Sequence, residues 1–287
     1  MRSKGKSAMS AAPAMPGIEV DRAASRETLA RFLAEDRLFA AYALADLDEA
    51  NVSGARWWLA RRGETPVAAA LAMLDLSFRP LFVCGETQGA AALLRQAVRE
   101  PRVIVAAPPE HRPAIEEVYR LERVDRMLRM VADAASFRPM PTHGAVRLRA
   151  AHLDAVIDLY GLASRSYFTP RRMERELYYG IFENDALISA AGTHVRSTEF
   201  GVAAIGNVIT RTAYRNRGYA TACTAAVAAA CLAEHRDVVL NVRDDNDPAI
   251  AVYRRLGFRL HRPFIESVGY RRVGLRNVVK NIFKGSV

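Results

Sequence analysis

A mixed α/β fold built as two similar halves is what this 287-residue sequence predicts. Three observations carry the prediction. The second half alternates short apolar strand-like runs with segments of helical periodicity, the first half carries a fainter copy of the same order, and 139–144 (Pro-Met-Pro-Thr-His-Gly) breaks both helix and strand between them. The chain therefore divides into a leader over 1–17, a first domain over 18–138, a linker over 139–144, a second domain over 145–272 and a basic tail over 273–287. Half the residues are hydrophobic, enough to bury sizeable cores, and the length suits about two domains.

In the first half, 57–61 and 67–73 read as a hairpin around Gly63-Glu64, followed by a strand over 81–84 and a helix over 90–98. A short strand over 102–106 and a helical stretch from Pro113 complete it. In the second half, 145–149 is strand-like. The following 152–163 places Leu153, Val156, Ile157 and Tyr160 on one helical face. A second helix is expected over 170–177, then a hairpin of 178–183 and 186–195 turning at Asn184-Asp185. A strand ends near Thr210, an Ala-rich helix covers 221–233, and the apolar run 238–242 is a buried strand. A helix from Asp247, a strand from Phe258 and another over 265–270 close the order.

The most specific chemistry lies between the strand and the Ala-rich helix. Val208, Ile209 and Thr210 end a β-branched run, Arg215, Asn216, Arg217 and Gly218 form a basic turn, and Tyr219, Ala220 and Thr221 enter the helix. The first amides of a helix lack intrahelical acceptors and sit at the positive end of its dipole, so a strand, a basic Gly loop and a helix in this order can hold a pyrophosphate. Downstream, 246–258 contains Asn246, Tyr253, Gly257 and Phe258.

Together these two segments resemble the GNAT superfamily of N-acetyltransferases. Arg215, Gly218 and Ala220 match its Arg/Gln-x-x-Gly-x-Gly/Ala acetyl-CoA loop, and Asn246, Tyr253, Gly257 and Phe258 match its downstream signature. The likeness covers about 145–271. It implies a tandem of acetyltransferase-type domains in which the second uses acetyl-CoA as acyl donor and transfers the acetyl group to an amine. It also implies that the strand before the loop splays from its neighbour, leaving backbone at Val208 and Thr210 for the thioester and pantetheine. Residues 215–221 then hold the pyrophosphate, Asn246 bonds the pantetheine arm, and Tyr253 returns a proton to the thiolate. Asn246 followed by Asp247-Pro248 is also a good helix N-cap, and a buried tyrosine is commonly a packing residue. The general base is open among Glu183, His194, Glu199, His261 and water alone, with Asn207 and Tyr167 expected to line the acceptor cleft.

In the first half, 115–120 echoes the Tyr253 segment with one extra residue. However, Gly85-Glu86-Thr87-Gln88-Gly89 stands where a phosphate loop belongs, with an acid and no arginine. That half reads as a degenerate domain that no longer binds CoA.

Net charge is +10, nearly all from arginine, since the only lysines are Lys4, Lys6, Lys280 and Lys284. Those arginines are scattered among acids rather than clustered with aromatics, which argues against nucleic acid. Over 273–287, Val278, Val279, Ile282 and Phe283 fall at helical spacing, a stripe that reads as self-packing rather than membrane-bound. No run is long and apolar enough to span a bilayer, and no signal-type apolar segment follows the basic leader. Cys84, Cys223 and Cys231 have no metal-like spacing and read as buried reduced thiols of a cytoplasmic protein, Cys223 being a packing residue of its helix. No metal is expected. The partner is a small-molecule or protein amine, and a homodimer through either half is open. The competing reading is a non-catalytic acetyl-CoA-binding regulatory module, against which Tyr253 stands, because a sensor needs no proton donor.

Overall fold

The computed structural model describes residues 17–48, 54–76 and 78–272; the leader expected over 1–17, apart from Gly17, and the tail expected over 273–287 lie outside them. The first half runs β1 (Glu19–Asp21), α1 (Arg26–Ala34), α2 (Ala41–Asp46), β2 (Ala55–Arg62), β3 (Thr65–Met73), β4 (Pro80–Gly85), α3 (Thr87–Gln96), β5 (Arg102–Ala107), α4 (Arg112–Val118), β6 (Tyr119–Leu121) and β7 (Asp125–Asp133). The second half runs β8 (Val146–Leu148), α5 (Leu153–Tyr160), α6 (Pro170–Arg175), β9 (Tyr178–Glu183), β10 (Ala186–Ser197), β11 (Val202–Thr210), α7 (Tyr219–Leu232), β12 (Asp237–Arg243), α8 (Asp247–Arg255) and β13 (Arg259–Arg271).

Local chemistry accounts for several of these elements. Asn184 and Asp185 both adopt positive φ, 48° and 63°, the conformation that lets a two-residue turn follow the twist of β9 and β10. Ser25 caps α1 by accepting from the Thr28 amide at 3.2 Å, and Thr169 caps α6 by accepting from Arg172. The Ala-rich α7 is apolar on every side and accordingly buried on most of them. The two strands expected after Phe258 are one strand, β13, with a register shift between Leu260 and Arg262.

The strands form one sheet in the order β1-β2-β3-β4-β5-β13-β7-β12-β11-β10-β9-β8, with β6 also on β13. The halves exchange their last strands. First-half β7 lies between β12 and β13, pairing Asp237–Arg243 with Asp133–Met127. Second-half β13 carries its other end onto β5, where Ile265 faces Ala107 and Tyr270 faces Arg102. Helices cover both faces. On one face, α3 and α4 pack over the first half and α7 and α8 over the second, with Leu93, Val105, Ile205, Val227 and Leu240 in the two cores. On the other face, α1 and α2 bridge the halves, burying Leu59, Leu71 and Phe82 of the first together with Val202, Ala204 and Val239 of the second. Beyond them α5 packs over Leu148, Tyr178 and Leu187.

Separated halves would each lose an interior strand and bare a hydrogen-bonding edge. A fragment of 18–138 or of 145–272 expressed alone is therefore expected to aggregate or stay unfolded, and the two co-expressed to assemble. A soluble, folded and monomeric single fragment, by circular dichroism and size exclusion, is the contrary result.

Candidate functional site

The site begins where two strands part. β11 and β12 pair in parallel from Val202–Asp237 to Ile205–Leu240 and no further, although each strand continues. On its other side, β11 gains a residue over β10: Ala190 faces Ile209 while Gly192 faces Gly206. The extra residue falls at Asn207, whose φ of 51° marks a bulge, and bulges bend the strand that contains them. The bent arm is Val208–Thr210, so the splay expected from the sequence is present. Val208 packs into the cluster containing Val242 and Tyr253, while Ile209 turns towards α5. The Ile209 carbonyl accepts from Ser189 Oγ at 3.0 Å, and the Thr210 carbonyl accepts from Arg215 Nε at 3.3 Å. Arg215 thus anchors the loop to the strand end.

Beyond the arm, the loop turns through Asn216 (φ 62°) and Gly218 (φ 82°) into α7. Among the described residues, the amides of Asn216, Arg217, Gly218, Tyr219, Ala220 and Thr221 donate to no protein acceptor, the first helical bond being Ala222 to the Gly218 carbonyl. The first turn of α7 holds no acid, and the Arg217 guanidinium stacks 5.4 Å over the Tyr214 ring. Exposed unpaired amides, a dipole end and a guanidinium fit a pyrophosphate. The linker passes close by: a Cβ on Gly218 would stand 3.9 Å from His143 Nε2.

Tyr253 projects from α8 into the cluster shared with Val208, and burial pushes its hydroxyl up to about 12. That hydroxyl has no hydrogen-bond partner among the described residues, and it is not among the sealed unpaired atoms. Asn246 caps α8, its Oδ1 accepting from the Ala249 amide at 3.3 Å, and its side-chain NH₂ faces no protein acceptor. Gly257 (φ 90°) ends the helix against the chain entering the linker, where a Cβ would meet the Ser136 carbonyl at 1.9 Å.

The first half has the same parting of strands without the rest. β4 and β5 pair from Pro80–Ile104 to Phe82–Ala106, but Gly85 and Glu86 then lead straight into α3 with no loop. A Cβ on Gly85 would meet the Val67 carbonyl at 2.4 Å, and Glu86 is bound to Arg62. The fully buried His111 donates from Nε2 to the Gly85 carbonyl at 3.0 Å. Tyr119, the counterpart of Tyr253 in sequence, opens β6 and spends its hydroxyl on the Glu100 carbonyl at 2.9 Å. Among the described residues, the first amides of α3 follow an acid and no arginine loop, and the Tyr119 hydroxyl is already bonded.

Beside the Asn207 bulge, the face of α1, α2, α5 and α6 carries a connected polar network. Asn207 Nδ2 donates to the Tyr178 hydroxyl at 2.9 Å and reaches the Tyr167 hydroxyl at 3.3 Å. The Tyr160 hydroxyl donates to the Asn207 carbonyl. Arg172 lies 4.0 Å over the Tyr167 ring and donates to the Tyr167 hydroxyl (2.8 Å) and the His194 carbonyl (3.1 Å). Tyr42, from α2 of the first half, meets His194 Nδ1 at 3.1 Å. Two strand glycines make room: a Cβ on Gly192 would strike the Tyr178 ring at 2.1 Å, and one on Gly206 the His194 ring at 2.2 Å. The sequence pointed to Tyr167, His194 and Asn207 but missed Tyr42, Tyr160, Arg172 and Tyr178. The available signal was the glycines inside strands, which mark close approach.

Of the expected bases, His194 stands in this network. Burial lowers it to about 4, with Arg172 adding to the effect, so the imidazole is neutral at physiological pH. Glu199 pairs with Arg26 beyond the paired end of β11, His261 is bound to Asp36 at 2.7 Å, and Glu183 lies at the β9–β10 turn. The thiol of buried Cys223 is pushed up to about 11 by burial, as a packing residue requires. Among the described residues no cluster of metal-ligating side chains occurs, and no helix is long and apolar enough to cross a membrane.

Asp46 lies one turn after Tyr42 on α2 and has no hydrogen-bond partner among the described residues. Burial and the Asp75 carboxylate raise it to about 7 against the pull of Arg175 and Arg172. A carboxyl whose folded pKa lies above its unfolded one favours folding at pH below the unfolded value and loses that contribution as pH rises towards 7. Asp46→Asn is therefore expected to raise the urea midpoint at pH 8.5 and to change it little at pH 4, with equal shifts at both pH values as the contrary result.

Comparison with known proteins bears on the fold just described. Residues 178–265 match the family described as FR47-like protein, while no curated protein matches the chain. Among solved structures, a GCN5-related N-acetyltransferase from Sphaerobacter thermophilus aligns with 91% of this chain and 98% of its own, at 16% identity and a TM-score of 0.55. A GCN5-related N-acetyltransferase-like protein from Streptococcus suis aligns with 86% of this chain and 100% of its own, at 17% identity and a TM-score of 0.55. A tandem GNAT protein from the clavulanic acid biosynthesis pathway aligns with 88% of this chain and 98% of its own, at 16% identity and a TM-score of 0.52. The chain has the mixed α/β fold of the GNAT acetyltransferases, doubled in tandem, and its FR47-like segment carries the parted strands, the basic loop and Tyr253.

Proposed function

We propose that the chain is an acetyl-CoA-dependent N-acetyltransferase whose second half transfers the acetyl group to an amine. One observation carries the reading. The parted strands open beside six acceptorless amides at a helix N-terminus, with an unpaired tyrosine hydroxyl on the adjoining helix. The first half has lost the loop and the free tyrosine, and its α2 serves as a wall of the second half's acceptor cleft.

In this reading, the amides of 216–221 and the Arg217 guanidinium hold the pyrophosphate, and Arg215 keeps the loop tied to Thr210. Anchoring the remote end of the donor fixes where its reactive end lies, so binding energy is spent on positioning. The freed edge of Val208–Thr210 lies along the pantetheine and presents an amide to the thioester oxygen. One such donor contributes about 3–4 kcal/mol as charge develops. Asn246, while capping α8, offers its side-chain NH₂ to the pantetheine arm. Acetyl-CoA supplies the activated acyl group. The acceptor nitrogen, neutral, enters past Tyr160, Tyr167, His194 and Asn207 and bonds to the thioester carbon. The C–S bond breaks, releasing the thiolate, and the surplus proton on nitrogen passes to solvent, from which the Tyr253 hydroxyl is later restored. Tyr253 gives that thiolate its proton. With its pKa raised to about 12, the hydroxyl stays protonated until the leaving group demands the proton, and such general acids are worth about 10²–10⁴-fold.

The acceptor is a small-molecule or protein amine. Nucleic acid is not part of the proposal, since many of the surface arginines are paired with acids, as Arg62 is with Glu86 and Arg243 with Asp245. Three buried free thiols accord with a reducing, cytoplasmic setting.

Calorimetric titration of the whole protein with acetyl-CoA is expected to give micromolar binding. The double variant Arg217→Ala/Gly218→Trp should weaken it at least tenfold, since the indole would fill the cradle. Absence of binding by the folded wild-type protein would refute the reading. Tyr253→Phe is expected to keep the acetyl-CoA Kd and to lower kcat by about 10²-fold or more in a thiol-release assay. An unchanged kcat would remove Tyr253 as proton donor.

A further inference from the structure

Arg129 lies on β7, the strand that the first half lends to the second, and its backbone is directly opposite Asn241 on β12. The residue is only 2% exposed. Its guanidinium sits among three rings, 5.8 Å from Phe39, 4.8 Å from Tyr42 and 5.6 Å from Phe264. Among the described residues its hydrogen bond is to the Leu38 carbonyl, at a long 3.3 Å, and Nε is sealed without a partner. No carboxylate among the described residues makes an ion pair with it. Asp36 acts on it from a distance but is already bound to His261 and Arg262, and Glu266 also acts only at range. A buried charge left without a counter-ion is costly, and perturbed ionisable groups in such positions cluster at functional sites.

Asn241 adds an independent observation. Val239 and Leu240 point to opposite faces of the sheet, so alternation puts Asn241 on the face of Val239, which is also the face of Arg129. It is the first residue of β12 beyond the last pair with β11, and its Oδ1 is buried without a partner. Tyr42, against which Arg129 stacks, is the residue that meets His194. An unpaired acceptor and an unneutralised donor therefore stand side by side on neighbouring strands, at the base of the fork and on the acceptor face.

Building on the acetyltransferase reading above, we propose that the acceptor is an amino acid: its carboxylate is received by Arg129 and its amine by the Asn241 side-chain oxygen. Residues directly opposite on adjacent strands have Cβ atoms about 5 Å apart, so both side chains rise from one spot of the sheet face, where a single small zwitterion can meet both. A guanidinium receives a carboxylate through two parallel N–H bonds, so the site selects for a planar anion and not merely for charge.

The test compares α-amino acids and β-alanine with their amides as acceptors for the full-length protein, using thiol release. The acids are expected to exceed their amides at least 100-fold in kcat/KM. Arg129→Met should abolish that preference, chiefly through KM, while leaving the acetyl-CoA Kd by calorimetry unchanged. Its Tm should be equal to or above that of the wild type, because a buried unpaired charge is removed. Arg129→Lys, which keeps the charge without the fork, should restore the preference only in part. A thermal-shift comparison needs no turnover: N-acetylglycine should raise the Tm of the wild type but not of Arg129→Met, and N-acetylglycinamide of neither. The proposal is overturned if acids and amides are used equally, or if acetyl-CoA binds and amines are acetylated but no amino acid is. It is also overturned if Arg129→Met lowers the Tm and loses acetyl-CoA binding, which marks a structural role. Failure of the wild type to bind acetyl-CoA would sink the acetyltransferase reading instead, and the thermal comparison would still decide the carboxylate site.

Discussion

Everything in this molecule depends on the exchange of β7 and β13. Over their middle residues both strands are packed from both faces: Met130 and Ala132 belong to the α7–α8 core, Ile265 to the α3–α4 core, and Val131 and Phe264 to the core under α1 and α2. Because β7 separates β12 from β13, the second half has no complete sheet of its own. The exchange also places α2 over β10 and β11, and so brings Tyr42 to His194 and Arg129 to the base of the fork. The first half thereby supplies Tyr42 and Arg129 to the polar face beside the parted strands of the second.

The second constraint is a single inserted residue. Without the bulge at Asn207, β11 would continue alongside β12 and close the fork by ordinary pairing. The bulge also turns the Asn207 side chain into the tyrosine network and its carbonyl to Tyr160. One backbone irregularity thus accompanies the parting of β11 from β12 and ties the bent arm to the tyrosine network. The first half shows the effect of omitting the other components. Its strands also part, yet with a two-residue connection and a histidine bonded across to Gly85 no phosphate-sized cradle results.

What the sequence disclosed follows from how local each signal is. The Asn184-Asp185 turn, the Arg215–Thr221 loop and the Asn246 cap are fixed by conformations of a few consecutive residues, and all were legible. The parting of β11 from β12 was legible only through the family resemblance, since nothing in Val208–Thr210 announces which strand will be missing. The exchange was not legible at all. β7 places Arg126 and Arg129 on opposite faces among apolar residues, a pattern that fits a half-exposed edge as well as an interior strand, and its partners are chosen across the chain. β13 read as two strands because Pro263 and the register shift interrupt it. Tyr42, on a short Ala-rich helix, gave no sign of meeting His194 more than a hundred residues away.

The exchanged strands also set a timetable. On a ribosome, β5 emerges long before the strand that completes it, since Ala107 and its partner Ile265 are more than 150 positions apart. Through most of synthesis the first half must carry β5 as a bare edge, and β7 must wait for β12. Closure of both halves is a late event with high contact order, and so a slow one in which exposed edges invite misassembly. The same topology that makes the halves inseparable in the finished protein leaves the nascent chain dependent on β13, whose late arrival decides whether either half is ever completed.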